Sequence, residues 1–355
     1  MKVGITGGEG FIGYHTYTYF KYATDFELIK LNRDFANDKR LKECDWVIHL
    51  AGMNRGDDTE IYNTNIDLTS KLLSNIADKT KIIFASSAQA DNESSYGKSK
   101  RECENMIMDN SPNHKILRLV NVFGPFGKPN YNSFIATFCY KLCNDEQPTI
   151  ITDNEVELVF VTDVVKEFES VINKDLYIKS TIKIKVSEVL ETLSSYKNNY
   201  LTSGSIGKLD KGFYSNLFNT FRSYMKSEDR LISTTLHEDE RGGLTELASV
   251  SMSEGLVFTS DTNPKFKRGE HFHTRKFERF CVVGGEAIIR MRKIGDDKID
   301  EYKVSSDEIK VIDMPVFYTH HIENIGKGLL RTVFWISELL NEDDADTYYE
   351  KVANV

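Results

Sequence analysis

The hydrophobic pattern of this chain changes its period once, and that change limits what the chain can fold into. Up to about residue 172, short β-rich runs alternate with helix-length amphipathic stretches. The strand candidates are Lys2–Thr6, Glu27–Leu31, Trp46–Leu50, Lys81–Ala85, Lys115–Leu119 and Glu157–Val161. Such alternation predicts a parallel sheet covered on both faces by crossover helices. Residues 186–225 read as more helical and polar, with Val186–Tyr196 the clearest helix. Beyond Lys226-Ser-Glu-Asp-Arg230, short strands are separated by glycine, asparagine and aspartate turns: Gly255–Ser260, Arg279–Val283, Ala287–Arg292, Ile309–Asp313 and Leu329–Ile336. That is an all-β pattern of barrel or sandwich type. The expectation is a Rossmann-type, doubly wound α/β domain over residues 1–232 and an all-β domain over 236–355. A length of 355 residues suits two cores better than one.

Composition narrows the partners. With 40% hydrophobic and 11% aromatic residues and six prolines, the chain can fill packed cores. A net charge of -9 and the lack of any Lys/Arg-rich tract argue against nucleic acid. The five cysteines are scattered with no CxxC pair, so neither a disulfide framework nor a thiolate zinc site is expected, and a reducing cytoplasm fits. The glycine-rich first residues do not read as a signal peptide, and no apolar run reaches the ~18 residues of a membrane span.

The first strand candidate runs directly into Gly7-Gly-Glu-Gly10-Phe-Ile-Gly13. Glycines at this spacing let the backbone approach a pyrophosphate, whose charge rests on the free N–H groups of the following helix. The second strand ends Leu31-Asn32-Arg33 where a carboxylate would otherwise bind the ribose hydroxyls. Asn32 and Arg33 favour a 2′-phosphate and hence NADPH, while Asp34 leaves a ribose ligand open if the register shifts. In Tyr96-Gly-Lys-Ser-Lys100, positions i and i+4 share a helix face, so the Lys100 ammonium can sit beside the Tyr96 phenol and lower its pKa for proton transfer. The strand ending Ser86-Ser87 can bring a hydroxyl to the same place; Ser87, or alternatively Ser86, can polarise a substrate carbonyl.

Four of the eight histidines lie in the last third: His271, His273, His320 and His321. His271-Phe-His273 places two imidazoles on one face of a strand. Glu278 can return after a short turn, and His320 can arrive from a distant strand. Three imidazoles and a carboxylate suit Zn²⁺ or another divalent first-row ion, in a closed structural site or an open catalytic one.

The N-terminal residues resemble the extended short-chain dehydrogenase/reductase family over roughly 1–230. The resemblance rests on Thr6-Gly-Gly-Glu-Gly-Phe-Ile-Gly13, His49-Leu-Ala-Gly52, the serine pair, Tyr96xxxLys100 and Arg118-Leu-Val-Asn-Val-Phe-Gly124. It implies catalysis by Ser87, Tyr96 and Lys100. Cofactor contacts are implied at Gly7, Gly10, Phe11, Ile12, Gly13, Asn32, Arg33, Leu50, Ala51, Gly52, Tyr96 and Lys100, and Asn121 near a sugar-nucleotide diphosphate. One departure is the separation of Ser87 from Tyr96 by only eight residues.

From about 240 to 355 the spacing resembles the two cupin motifs, which implies an all-β cupin barrel with His271, His273, Glu278 and His320 as metal ligands. It departs from them at Phe317 and Ile309, where members usually carry glycine, and Asp239-Glu-Arg-Gly242 is similar to the DxRG segment of cupin-type keto-sugar epimerases.

The domain order and the stretch Lys128-Pro-Asn-Tyr-Asn-Ser-Phe-Ile-Ala-Thr-Phe-Cys-Tyr-Lys141 resemble capsular polysaccharide synthesis enzymes that fuse such a reductase to a cupin. That resemblance spans essentially the whole chain and adds Asn130 and Asn132 as substrate contacts. It implies a homodimer acting on a UDP-2-acetamido-2,6-dideoxy-4-hexulose on the route to UDP-N-acetyl-L-fucosamine. The cupin would invert C3, with His273, Tyr318 and His321 as candidate bases, and NADPH would reduce C4 to give UDP-N-acetyl-6-deoxy-L-talosamine. Two other readings stand beside it: a plain keto-sugar reductase with a structural, dimerising cupin, and a non-catalytic nucleotide-sugar sensor.

Overall fold

The computed structural model describes residues 1–353 except 202–205, 207–211, 234–235, 240–241, 246, 248–254, 340 and 342–343. The chain forms two compact units, residues 1–137 with 152–186, and residues 138–151 with 187–355.

In the first unit, strands β1 (Lys2–Thr6), β2 (Glu27–Leu31), β3 (Trp46–His49), β4 (Lys81–Ser87) and β5 (His114–Leu119) form one sheet in the order β2-β1-β3-β4-β5. Every pairing in it is parallel. Side chains alternate across the sheet, so both faces must be covered. Ile82 and Phe84 enter one core with Leu72 of α2 (Asp58–Asn75) and Ile107 of α3 (Ser95–Asn110). Ile83 and Ala85 enter the other with Phe20 of α1 (Phe11–Ala23) and Val164, Val165 and Phe168 of α5 (Val161–Asn173).

The sixth expected strand does not join this sheet. The chain leaves after Leu119 and forms β6 (Asn121–Phe123), which pairs in parallel with β7 (Glu155–Phe160); β8 (Thr181–Lys185) then adds antiparallel to β7. A local partner on each side satisfies the β7 ladder, so the main sheet stops at five strands.

In the second unit lie the end of α4 (Phe134–Cys143), most of α6 (Val186–Tyr196), α7 (Phe213–Arg222) and the remaining strands. These are β9 (Leu231–Ser233), β10 (Leu236–Asp239), β11 (Gly242–Thr245), β12 (Leu256–Thr262), β13 (Lys267–Phe272), β14 (Glu278–Gly284), β15 (Glu286–Lys293), β16 (Ile299–Ser305), β17 (Lys310–Met314), β18 (Tyr318–Asn324), β19 (Leu330–Ile336) and β20 (Tyr348–Tyr349). Two five-stranded sheets, β12-β19-β14-β17-β9 and β16-β15-β18-β13-β20, face a shared core that includes Phe280, Ile289, Met291, Ile312, Ile322 and Phe334.

Residues 187–230, grouped by sequence with the first domain, pack with these strands. Tyr200 donates to the Asp313 carboxylate, which Arg279 also grips through Nε and Nη2 at 2.7 and 2.9 Å. Arg222 donates to the Met314 carbonyl at 3.1 Å, and its guanidinium lies 4.2 Å from the Phe277 ring centroid. Among the described residues no helix is long and apolar enough to cross a membrane.

His49 ties β3 to β1 at the carboxyl end of the sheet. The Thr6 hydroxyl oxygen accepts the Leu50 and Ala51 N–H groups at 3.2 Å each, so its own proton goes to His49 Nδ1, 2.8 Å away. The imidazole must stay neutral: burial first, and then the Lys100 charge, lower its pKa to about 3. The unfolded chain takes up this proton below pH ~6.5 and the folded chain does not, so the stability is full above 6.5 and is lost as pH falls toward 3. With Trp335→Phe leaving Trp46 as the reporter, the unfolding free energy should fall by about 2–3 kcal/mol between pH 6.5 and 4.5. His49→Gln should flatten that slope, and an unchanged slope would exclude His49 as the cause.

Candidate functional site

The parallel order reverses between β1 and β3, which opens a crevice beyond their carboxyl ends. The glycine turn stands there. Gly7 has φ +68°, and a Cβ on it would lie 2.7 Å from the Ala51 nitrogen, so the loops after β1 and β3 touch only because residue 7 is glycine. A Cβ on Gly13 would meet the Gly7 carbonyl oxygen at 2.2 Å. The α1 N-cap is Gly10, which supplies no side-chain acceptor. The first N–H groups of α1, including those of Phe11 and Ile12, are therefore left for an anionic ligand. Leu50, Ala51 and Gly52 follow β3, and Asn32 and Arg33 follow β2, both exposed. Asp34 accepts from Asn37 Nδ2 at 2.7 Å, which occupies the carboxylate within its own turn.

Ser87, Tyr96 and Lys100 come together. Ser87 ends β4 and its hydroxyl oxygen accepts the Gln89 N–H at 3.1 Å, and that hydroxyl is close enough to Tyr96 to favour its phenolate. The Lys100 ammonium donates to the Ala85 carbonyl at 2.9 Å and lies 5.9 Å from the Tyr96 ring centroid. Burial raises the Tyr96 pKa, with the Ser87 hydroxyl opposing it, so the expected lowering by Lys100 is absent. Burial also lowers Lys100, to about 8. Ser86 is not the alternative: it donates to Glu104, whose carboxylate also holds Arg118 at 2.9 and 2.6 Å.

The short span between Ser87 and Tyr96 is closed by a turn over Ala88–Asp91 and by Ser94, which caps α3 through the Gly97 N–H at 3.0 Å. A Cβ on Gly97 would stand 2.3 Å from the Gln89 carbonyl oxygen, so the glycine inside the YxxxK motif lets α3 approach. Asn65 was not singled out from sequence. Its amide exchanges hydrogen bonds with Met53 N–H and C=O at 2.7 and 2.8 Å and donates to Ser99 at 2.9 Å, joining the loop after β3 to α3. Only its helix position marked it, and that carries no chemistry.

Of the substrate candidates, Asn121 opens β6 and donates to the Glu157 carbonyl at 3.0 Å. Asn130 and Asn132 lie in the loop before α4, where Arg55 donates to the carbonyls of Asn130 and Tyr131 at 2.6 and 2.8 Å.

In the second unit His271, His273, Glu278 and His320 converge, with ligand atoms all within 4.8 Å of one another. A bulge produces this convergence. Gly269 pairs with His321, but the register then shifts and His271 faces His320. Without the extra residue His271 would oppose Thr319 and point to the other face. Gly269 has φ +109° and Glu270 φ +64°, and a Cβ on Gly269 would lie 2.6 Å from the His320 carbonyl oxygen.

Around Glu278 Oε2 stand the Nε2 atoms of His320, His273 and His271 at 3.1, 3.4 and 3.9 Å. Ligands on a tetrahedral ion with bonds of about 2.1 Å lie roughly 3.4 Å apart. His273 Nδ1 is 2.6 Å from the Asp346 carbonyl and His320 Nδ1 is 3.0 Å from that of Tyr318. A neutral imidazole donating there turns the Nε2 lone pair toward the carboxylate, an opposition that a cation relieves. The residues fit a divalent ion.

Phe317, at a position where glycine was expected, has φ +60°. Its N–H donates to the His273 carbonyl at 2.7 Å and its side chain is buried. A left-handed non-glycine residue costs about 1–2 kcal/mol, and burying a phenylalanine returns about 1.5–3. His321 is not with the cluster. It alternates to the opposite face of β18 and pairs with Glu270 at 3.0 Å. Tyr318 shares the His320 face, where its hydroxyl accepts from Arg230 at 3.0 Å. The Asp239–Gly242 motif includes Glu240 and Arg241, which lie outside the described residues.

The sequence profile of the NAD dependent epimerase/dehydratase family matches residues 3–180, and that of the polysaccharide biosynthesis C-terminal domain matches 237–348. The crystal structure of the capsular polysaccharide assembling protein CapF from Staphylococcus aureus is similar over 99% of this chain and 100% of its own, with 32% identity and a TM-score of 0.63. A CapF structure with the inhibitor 3-isopropenyl-tropolone matches over the same shares with 31% identity and a TM-score of 0.57. The UDP-2-acetamido-2,6-beta-L-arabino-hexul-4-ose reductase of Pseudomonas aeruginosa is 28% identical, over 98% of each chain.

The glycine turn can be tested by substitution. Gly13→Ala should weaken binding of the reduced nicotinamide cofactor at least tenfold in a fluorescence titration. Gly10→Ala, whose Cβ would meet the Gly7 oxygen at 3.2 Å, should weaken it less. Equal affinities would show that contact at Gly13 does not shape the site.

Proposed function

We propose, since this chain belongs to the NAD dependent epimerase/dehydratase family and resembles CapF along its whole length, that it is a bifunctional UDP-sugar enzyme. It epimerises C3 of a UDP-2-acetamido-2,6-dideoxy-4-hexulose in the second unit and reduces the C4 ketone with NADPH in the first. The product is UDP-N-acetyl-6-deoxy-L-talosamine, on the way to UDP-N-acetyl-L-fucosamine for capsule or O-antigen. The observation that carries this reading is the coexistence of Tyr96, beside Ser87 and in front of Lys100, with the convergent His271, His273, Glu278 and His320 set in one chain.

When bound, the nicotinamide supplies a hydride to C4. Ser87 orients the ketone oxygen, and the raised pKa of Tyr96 keeps its proton in place until that oxygen gains charge. Lys100 holds a positive charge behind the phenol. Asn32 and Arg33 suit the 2′-phosphate of NADPH, a choice favoured by the engagement of Asp34 with Asn37. In the second unit the C4 ketone acidifies C3–H, which leaves as a proton and returns on the opposite face. When bound at His271, His273, Glu278 and His320, a divalent ion such as Zn²⁺ supplies Lewis acidity toward a ligand oxygen.

The full chain, supplied with Zn²⁺ and the UDP-4-keto sugar in D₂O, tests both halves by product NMR. Deuterium should enter at C3 without NADPH, and C4 should be reduced when NADPH is added. Reduction without exchange would overturn the epimerase assignment and leave a keto-sugar reductase whose second unit has no part at C3. Tyr96→Phe should slow reduction by about 10²–10⁴-fold. Full-rate reduction by that variant would remove Tyr96 as the proton donor.

A further inference from the structure

Residues 344–352 lie along the metal centre without supplying a ligand, yet their contacts converge on the groups that orient two ligands. Asp346 is 5% exposed. Its Oδ1 accepts the Thr274 N–H at 3.0 Å and the Thr274 hydroxyl at 2.6 Å, and its Oδ2 accepts the Arg275 and Lys276 N–H groups at 2.9 Å each. These three residues begin the turn between His273 and Glu278, so one carboxylate holds the link between two ligands. The Asp346 carbonyl also accepts from His273 Nδ1 at 2.6 Å, which leaves Nε2 as the ligating atom. Lys276 closes the loop by donating to the Ala345 carbonyl at 2.5 Å.

The same segment then reaches the bulge. Tyr348 and Tyr349 pair with Phe272 and His271, the Glu350 N–H donates to the Glu270 carbonyl at 3.0 Å, and the Val352 N–H donates to the Glu270 carboxylate at 2.8 Å. Thr319 donates to the Glu350 carbonyl, and Arg292 to those of Val352 and Lys351 at 2.7 and 2.6 Å. Glu270 is the bulge residue whose extra step turns His271 toward the cluster.

We infer that Asp346 is a positioning residue for the metal centre and that residues 344–352 form a strap whose docking is linked to metal loading. The inference rests on the metal reading of the second unit. Linkage is reciprocal: if the docked strap orients His273 and His271, an ion that binds them holds the strap in place by the same free energy.

The test uses the full chain, stripped of metal and titrated with Zn²⁺ against a competing chelator. Asp346→Ala should lower Zn²⁺ affinity about 10–100-fold, the usual scale for losing an outer-shell partner. In the wild type, adding Zn²⁺ should slow amide exchange at Glu350 and Val352. A folded Asp346→Ala chain that binds Zn²⁺ within twofold of wild type would overturn the positioning role, and exchange indifferent to Zn²⁺ would overturn the linkage. Should Asp346→Ala fail to fold, Thr274→Val removes one of the carboxylate's bonds and should lower affinity by a smaller factor; no change would count against the role. A wild-type chain that takes up no Zn²⁺ sinks the metal reading itself, whereas uptake with an unaffected variant sinks only this one.

Discussion

The second unit depends on a single extra residue in one strand. At Gly269–Glu270 the β13 ladder slips by one position against β18, and that slip turns the His-Phe-His run so that its imidazoles face inward and Phe272 faces Tyr348. A strand has only two faces, so the choice is all or none. The bulge needs a backbone that admits positive φ and a close approach to the His320 carbonyl, which glycine supplies at 269. Glu270 then anchors what the bulge displaces, through Lys267 at 2.6 Å and His321 at 3.0 Å. The ligand cluster is thus a consequence of strand register as much as of residue type.

The first unit rests on a comparable economy of space. Gly7, Gly13 and Gly97 each stand where a methyl group would overlap backbone at 2.2–2.7 Å. Two of these contacts fit the glycine turn against the loop after β3 and the start of α1. The third brings α3 close enough for Tyr96 to meet Ser87. The neighbouring serines separate by the pleat of β4: Ser86 faces Glu104 and Arg118 in a closed ion network, and Ser87 faces the tyrosine. Adjacent residues of one type therefore hold different roles without any difference in their own chemistry.

Periodicity made much of this legible. Five strands of the parallel sheet, the glycine turn, the Ser87–Tyr96–Lys100 grouping and the His271, His273 and Glu278 run follow from short-range spacing, with His320 expected from a distant strand. What spacing could not reveal was pairing and packing. Glu157–Val161 reads as one more parallel strand, but only the location of β6 and β8 decides which sheet it enters. His321 reads like its neighbour until the face of β18 is known. The polar helices after residue 186 carry no signal that Tyr200 and Arg222 will be buried against the β-strands. Phe317 departs from a glycine pattern while keeping the glycine conformation, because its buried ring offsets the strain.

The path of the chain between its two units bears on how such a protein can be taken apart. It enters the second unit at Phe138, returns to the first at Thr152, and leaves it again after Val186, so α4 and α6 each belong in part to both. No single cleavage of the chain yields either unit whole. A fragment ending near residue 232 would carry the reductase residues together with orphaned helices whose apolar faces had lost their strands.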